Sequence, residues 1–384
     1  MNMEIFLTNT CNMKCSFCGS WNQEQADQYI DLNKLKEIVL NASKKGYRYI
    51  SFSGGEPLQY KNIFEIIEYA NNLGFFINLT TNGLLIDDRF IKNIRNKNVN
   101  TRISLHSLNE ELFNKITNTD CWDKVNEAIH RLRKEKINFS IGSTIFDKNI
   151  GEVEDLANYA LEMGATYIRF TPVYKVYKGR EFNTDKLFFE ILLSSIVKFA
   201  VENKDFLSYK RGYNLYLNNF INMMTTKQCA AGSDYYIAIN PNFNIIACPV
   251  LPHYSSSYTE NYTSFESIDN LKSYYQKIFT KELVSTLEGN CKECKYKHTC
   301  KGGCLSTKLN ESLKVEEEQP ICLMKIVNNV LDRLSQEDKD EIIHYWKFHY
   351  DKKITFNNES ASCIRRLPIW ELHFNSRYSY GYKK

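Results

Sequence analysis

Residues 32–83 read LNKLKEIVLNASKKGYRYISFSGGEPLQYKNIFEIIEYANNLGFFINLTTNG. Leu32, Leu35, Ile38, Val39 and Ala42 recur at helical spacing, the pattern stops at Gly46, and a strand-like run, Tyr47–Ser53, follows. Ser53-Gly54-Gly55-Glu56-Pro57 ends that run. The pattern then repeats with Ile63, Ile66, Ile67 and Ala70, a stop at Gly74, the run Phe75–Thr81, and Thr80-Thr81-Asn82-Gly83 at its end. A glycine closing each helix suits a left-handed cap. Connections this short make consecutive strands parallel, each returning through a helix.

The same alternation extends to both sides. Further strand-like runs are Glu4–Thr8, Thr101–His106, Asn138–Ile145 and Thr166–Val173; further helical patterns are Val125, Ala128, Ile129, Leu132 and Val153, Leu156, Ala157, Ala160, the last ending at Gly164. Six βα units predict a parallel sheet covered by helices, either doubly wound or curled into a partial barrel. Its ligand site belongs at the carboxyl ends of the strands. The unusual residues gather at those ends: a cysteine loop after the first run, Ser53–Pro57 after the second, Thr80–Gly83 after the third, and Ser104 and His106 closing the fourth.

The chain has 384 residues, 43% hydrophobic and 24% charged, with a net charge of +4. That balance is ordinary for a globular protein and too small to argue for nucleic acid or an acidic membrane surface. No apolar run reaches the length of a membrane span, and Met1–Thr10 lacks the segments of a secretion signal, so a cytoplasmic location is expected. In that compartment twelve cysteines point to metal or redox chemistry rather than disulfides. Cys11, Cys15 and Cys18 have C-x3-C-x2-C spacing; Cys291, Cys294, Cys300, Cys304 and Cys322 follow far downstream, with Cys229 and Cys248 between. Three thiolates can hold three irons of a [4Fe–4S] cube and leave the fourth iron open. Zinc wants a fourth ligand, and no His or Cys follows Cys18 until His106. Cys121 and Cys363 fit neither set, and His298 reads as structural.

The triplet, with Phe17 before its last cysteine, together with Gly54-Gly55-Glu56-Pro57, resembles the signature of the radical S-adenosylmethionine (SAM) superfamily over roughly residues 4–175. The resemblance implies a partial (β/α)6 TIM-like barrel within an α/β fold. It implies a cluster on Cys11, Cys15 and Cys18, and SAM contacts at Phe17, Gly54, Gly55, Glu56, Pro57, Asn82, Ser104 and Arg169, with Lys115 only weakly replacing an arginine that many relatives carry. The glycines would let backbone approach the ligand, and Glu56 would accept from the methionine ammonium. Reductive cleavage of SAM would then give a 5′-deoxyadenosyl radical that takes a hydrogen atom from substrate.

The downstream cysteines resemble a SPASM domain, a module holding auxiliary clusters. By that resemblance Cys291, Cys294, Cys300 and Cys322 would hold a distal [4Fe–4S] cluster, and Cys229, Cys248 and Cys304 a nearer one. Tyr235 stands where some relatives have a fourth thiolate, so the nearer cluster would have an open iron or take Asp234. Phe243 stands where the family has a glycine, a departure expected to alter the hairpin turn near Pro241-Asn242. The implied organisation is a core over 1–175, a helical bridging region over 176–228, the SPASM domain over 229–325, and a helix and tail over 326–384.

SPASM relatives are dominated by peptide-modifying enzymes. The leading expectation is a maturase of ribosomally made peptides that installs a crosslink or oxidises a residue, with flavodoxin or ferredoxin as electron donor. With Cys11 so near the start there is no room for a leader-recognition domain, so a separate leader-recognition protein, or the tail, would serve. Pro249 replaces the aspartate expected of a formylglycine-forming sulfatase maturase. That activity, sugar or aminocyclitol dehydrogenation, and a non-catalytic iron–sulfur scaffold are the alternatives. Tyr174, Lys175, Tyr177 and Arg180 follow the sixth run and are candidates to line the cavity; no catalytic acid or base is assigned.

Overall fold

The computed structural model describes residues 2–18, 27–203, 214–217, 236–246, 248, 259–278 and 281–342. Its first part alternates as the sequence predicts: β1 (Asn2–Phe6), α1 (Leu32–Lys44), β2 (Tyr49–Ser53), α2 (Ile63–Asn72), β3 (Phe76–Thr81), α3 (Asp88–Ile94), β4 (Val99–Ser104), α4 (Glu110–Thr117), α5 (Trp122–Lys134), β5 (Phe139–Ile145), α6 (Val153–Glu162) and β6 (Tyr167–Pro172). Gly46, Gly74 and Gly164 end their helices at φ +85°, +79° and +74°. Asp31 caps α1 by accepting the Lys34 N–H at 2.9 Å.

Residues 176–228 were expected to be helical. The long helix α7 (Lys186–Glu202) is present, but beyond it β7 (Asn214–Leu217) pairs parallel to β6 and extends the sheet. On the other side, β8 (Tyr236–Ile239) pairs parallel to β1, and β9 (Asn244–Ile246) and β10 (Thr259–Asn261) follow antiparallel. The result is one open sheet in the order β10-β9-β8-β1-β2-β3-β4-β5-β6-β7. Further helices among the described residues include α8 (Phe265–Ile278), α9 (Lys281–Thr286), α10 (Lys297–Cys300), α11 (Leu305–Asn310) and α12 (Leu323–Leu331), the last packed against α7.

The sheet curls without closing. Tyr167 Oη on β6 donates to Asn78 Oδ1 on β3 at 3.2 Å. In a flat sheet these strands lie about 14 Å apart, three spacings of about 4.8 Å, with side chains standing perpendicular. Only strong curvature brings the two tips together, as the partial barrel requires. Met3, Ile5, Ile50, Phe52, Ile77, Leu79, Ile103, Ile141, Ile168 and Phe170 face outward and are buried beneath the helices. The concave face instead carries polar and charged side chains.

The hairpin departure also resolves. Phe243 adopts the left-handed conformation, φ +62°, that glycine would take. The turn survives because Asn240 Oδ1 accepts from the N–H groups of Asn242 and Asn244 at 3.0 and 2.9 Å. The Phe243 ring packs partly against the core, with the Lys34 ammonium 4.0 Å from its centroid. These contacts offset a backbone penalty of roughly 1–2 kcal/mol.

Among the described residues no helix is long and apolar enough to cross a membrane.

Candidate active site

The exits of β1, β2 and β3 are bound into one unit. Gly55 N–H donates to Thr8 O and Glu56 N–H to Thr10 O, both at 2.7 Å. A Cβ on Gly54 (φ +133°) would fall 2.3 Å from Thr8 O, and one on Gly55 2.1 Å from Thr10 O. The two glycines are therefore required by the approach of one chain segment to another, a reason the motif alone did not reveal. Pro57 opens the short turn that follows, and Glu56 caps it. The Glu56 carboxylate lies beneath the loop. Oε1 accepts from Thr81 Oγ1 (2.7 Å) and Leu58 N–H (3.0 Å), and Oε2 accepts the Asn82 N–H (2.8 Å). Burial pushes this carboxyl up to about 7 against the opposing pull of those donors.

Asn82 ties the cysteine loop to that unit. Its Nδ2 donates to Asn12 Oδ1 at 2.6 Å and lies 3.8 Å from Cys11 Sγ, which also accepts the Met13 N–H at 3.4 Å. The loop's other flank rests on α4: Ser16 N–H donates to Ile116 O (2.8 Å), and Asn118 Nδ2 to Lys14 O (2.9 Å). Phe17 fixes the end of the loop. Its ring lies 4.7 Å edge-on from His106 and 5.6 Å from Phe146, within a cluster that includes Ile116, Val173 and Phe182.

His106 is a positioning residue that its place at the end of a strand only hinted at. Its Nδ1 accepts the Thr144 N–H at 3.1 Å, and burial pushes it down to about 4, so the ring is neutral at ordinary pH with its proton on Nε2. Asn149 locks the same corner, donating to His106 O (2.7 Å) and Thr144 O (2.8 Å). Nothing in the sequence pattern singled out Asn149.

Burial, followed by the nearby charges of Glu56 and Cys18, raises Cys11 to about 11. Cys15 is raised by burial and then by Cys18, Cys11 and Cys121. Three thiols that oppose one another's ionisation make a site that only a strong cationic centre would fill as thiolates. Thiolate sulfurs with N–H groups aimed at one of them suit iron–sulfur ligation. Among the described residues no three His, Cys, Asp or Glu side chains close around a single-ion position.

Ser104 and Arg169 are brought to one level of the sheet, since Gly142 is the register partner of both. Lys115 lies on the exposed face of α4. Cys300 is raised to about 11 by burial and then by Cys322, Cys291 and Cys294, so these four thiols share one locale. Cys248 and Cys304 share another, because both act on Tyr174, as does Arg169. Cys229, Cys363, Asp234, Tyr235 and Pro249 lie outside the described residues. Lys175 Nζ donates to Phe182 O, while Arg180 and His298 are exposed. Cys121, buried, sits 3.7 Å from Thr117 Oγ1.

Comparison with known proteins matches this geometry. Residues 5–160 match the family described as Radical SAM superfamily. The chain is 28% identical over 231 residues, 57% of this chain and 71% of the other, to a probable GTP 3′,8-cyclase of Sulfurisphaera tokodaii. It spans about three fifths of the length of other such cyclases, 57% of one and 65% of another. It is 23% identical over 330 residues to the mycofactocin maturase MftC of Mycobacterium tuberculosis, covering 83% of this chain and 81% of that one. Streptococcus suis SuiB has the same fold. With S-adenosylmethionine bound the TM-score is 0.69 at 16% identity, covering 84% of this chain and 76% of SuiB; with precursor peptide SuiA bound it is 0.66, at 16% identity and coverages of 83% and 74%. The cysteine loop and the central strands of the parallel sheet that presents it lie within residues 5–160, the part of this chain that is a Radical SAM domain.

Proposed function

We propose that the chain modifies a ribosomally made peptide, abstracting a hydrogen atom from it and installing a crosslink or an oxidised residue. The observation that carries this reading is that Tyr174, just beyond β6, lies within electrostatic reach both of Arg169 on the concave face and of Cys248 and Cys304 of the downstream set. A substrate on that face would lie between two cysteine-built centres, as an oxidation needs when one electron must leave after the hydrogen atom. Similarity to MftC and to peptide-bound SuiB supports a peptide in that place.

On this reading Cys11, Cys15 and Cys18 hold the first cluster, and Phe17, Gly54, Gly55, Glu56, Pro57, Asn82, Ser104 and Arg169 surround SAM. Cys291, Cys294, Cys300 and Cys322 hold a distal auxiliary cluster, and Cys248 and Cys304, with Cys229, a nearer one. When bound, cluster and SAM together supply the hydrogen-abstracting 5′-deoxyadenosyl radical. The chain's own residues hold and orient: Asn82 and Met13 direct N–H groups at Cys11 Sγ, Glu56 fixes the rim, and Phe17 with Phe146 and Phe182 keeps water from the loop's flank. Flavodoxin or ferredoxin would deliver the electron, a separate protein would recognise the leader, and the setting would be the cytoplasm.

The test incubates reconstituted, reduced protein and SAM with the short peptides encoded beside its gene. The reading predicts 5′-deoxyadenosine together with a peptide that has lost two hydrogens. Unchanged peptides with turnover of GTP would overturn it in favour of the cyclase chemistry named for the Sulfurisphaera relative.

A further inference from the structure

Three cysteine sulfurs among the described residues meet a hydrogen-bonding group two residues further along the chain. Cys11 Sγ accepts the Met13 N–H and Cys294 Sγ the Tyr296 N–H, both at 3.4 Å. At Cys304 the contact is made by a side chain: Ser306 Oγ lies 3.0 Å from Cys304 Sγ. A thiolate has no proton to give, so with Cys304 ionised the Ser306 hydroxyl is the donor. A backbone N–H is present whatever the residue, whereas this hydroxyl depends on a serine at 306.

Both partners are held for the contact. Cys304 immediately precedes α11, and Ser306, 9% exposed, lies in its first turn. The Lys308 N–H donates to Cys304 O at 3.1 Å and fixes that turn. Cys304 N–H donates to Gln319 Oε1 at 3.1 Å, and Gln319 Nε2 donates to Ile321 O at 2.7 Å, so a buried amide ties Cys304 to the segment that enters Cys322. Gly303, at φ +103°, makes room for that amide: a Cβ there would fall 2.3 Å from Gln319 Oε1. A buried hydroxyl needs a partner, and among the described residues Ser306 finds it in Cys304 Sγ.

We propose that Ser306 is a potential-setting residue, whose hydroxyl bonds the Cys304 thiolate and makes the nearer auxiliary centre easier to reduce. That Cys304 ligates a cluster rests on the function proposed above. A hydrogen bond to a ligand sulfur stabilises the added negative charge of the reduced form and so raises the potential. That direction suits an oxidation. The one electron left when a peptide radical loses a proton passes to this centre, and on to an oxidised one-electron carrier of the flavodoxin or ferredoxin class. Lys308 differs, since its charge acts through space on Cys291, Cys300 and Cys304 alike. Ser306 bonds one sulfur, so its effect is confined to one centre.

The test is an EPR-monitored redox titration of reconstituted wild type, Ser306→Ala and Ser306→Thr, without peptide, with iron content and circular dichroism measured on each. Ser306→Ala should shift the one-electron equilibrium of one auxiliary centre at least fivefold toward the oxidised form, a fall of about 40 mV. Ser306→Thr, which keeps the hydroxyl, should stay near wild type, and the other centres should not move. An unchanged potential in Ser306→Ala, equal shifts of both auxiliary centres, equal shifts in the alanine and threonine variants, or loss of iron from Ser306→Ala would each overturn the assignment. With wild-type iron complete, those results leave the peptide reading standing. A wild type that holds only about 4 iron atoms would instead remove the auxiliary centres, and this role with them.

Discussion

Glu56 Oε2 accepts the backbone N–H of Asn82 at 2.8 Å, so the exits of β2 and β3 are tied together beside Cys11. Its donors are Leu58 in the following turn and Thr81 and Asn82 at the exit of β3, and the Asn82 side chain also reaches Asn12 and Cys11 in the cysteine loop. Glu56→Gln replaces one acceptor oxygen by an NH2 that faces existing donors. It should destabilise the fold by about 1–3 kcal/mol and lower the iron retained after reconstitution; wild-type iron content with an unchanged melting temperature would refute this role.

The two kinds of glycine give a sharper contrast. Gly55→Ala puts a Cβ 2.1 Å from Thr10 O, whereas Gly46→Ala, at φ +85°, meets nothing within 4 Å. The first should cost about 2–4 kcal/mol and disrupt iron binding; the second should cost about 1 kcal/mol and spare it. Denaturant titrations of both variants measure the difference.

His106 predicts a pH dependence. Its native value is pushed down to about 4 from an ordinary value of 6.5. Between those values the unfolded chain binds the extra proton, so the contribution of His106 is complete above pH 6.5 and is lost as pH falls toward 4. The slope it adds is at most about 1.4 kcal/mol per pH unit. Denaturation of wild type and His106→Phe at pH 7.5 and 5.5 should show the smaller acid loss in the variant.

Lys308 lies among the downstream cysteines, 1% exposed. Its Nζ donates to Val315 O at 2.6 Å and would be 2.7 Å from a Cβ on Gly302, within the Cys300–Cys304 loop. Its ammonium acts on Cys291. If auxiliary clusters occupy that region, Lys308→Met should lower their reduction potential by on the order of 50 mV, measured by EPR-monitored titration. Unchanged potentials would show that the charge does not act on them.

The βα alternation was legible because outward-facing residues such as Ile50, Phe52, Ile77 and Leu79 keep strict apolar periodicity beneath amphipathic helices. The cysteine loop and the Gly54–Pro57 motif were legible from their spacing. The inner face was not: Asn78, Arg102 and Tyr167 meet only because the sheet curls, and curvature leaves no mark on a single strand. Pairing of β8 with β1 joins residues more than two hundred positions apart, and β7, with four residues, is too short for periodicity. The Phe243 turn is held by Asn240 and Lys34, neither of which the family pattern would nominate.

Iron content addresses the downstream centres: about 12 atoms per chain for three cubes, against about 4 if the auxiliary set is empty. The loop at the head of the half-barrel is tested most directly by 5′-deoxyadenosine released from SAM by anaerobically reconstituted, reduced protein. Wild type should produce it and Cys15→Ala should produce none; equal release from both, or none from iron-loaded wild type, would contradict the account.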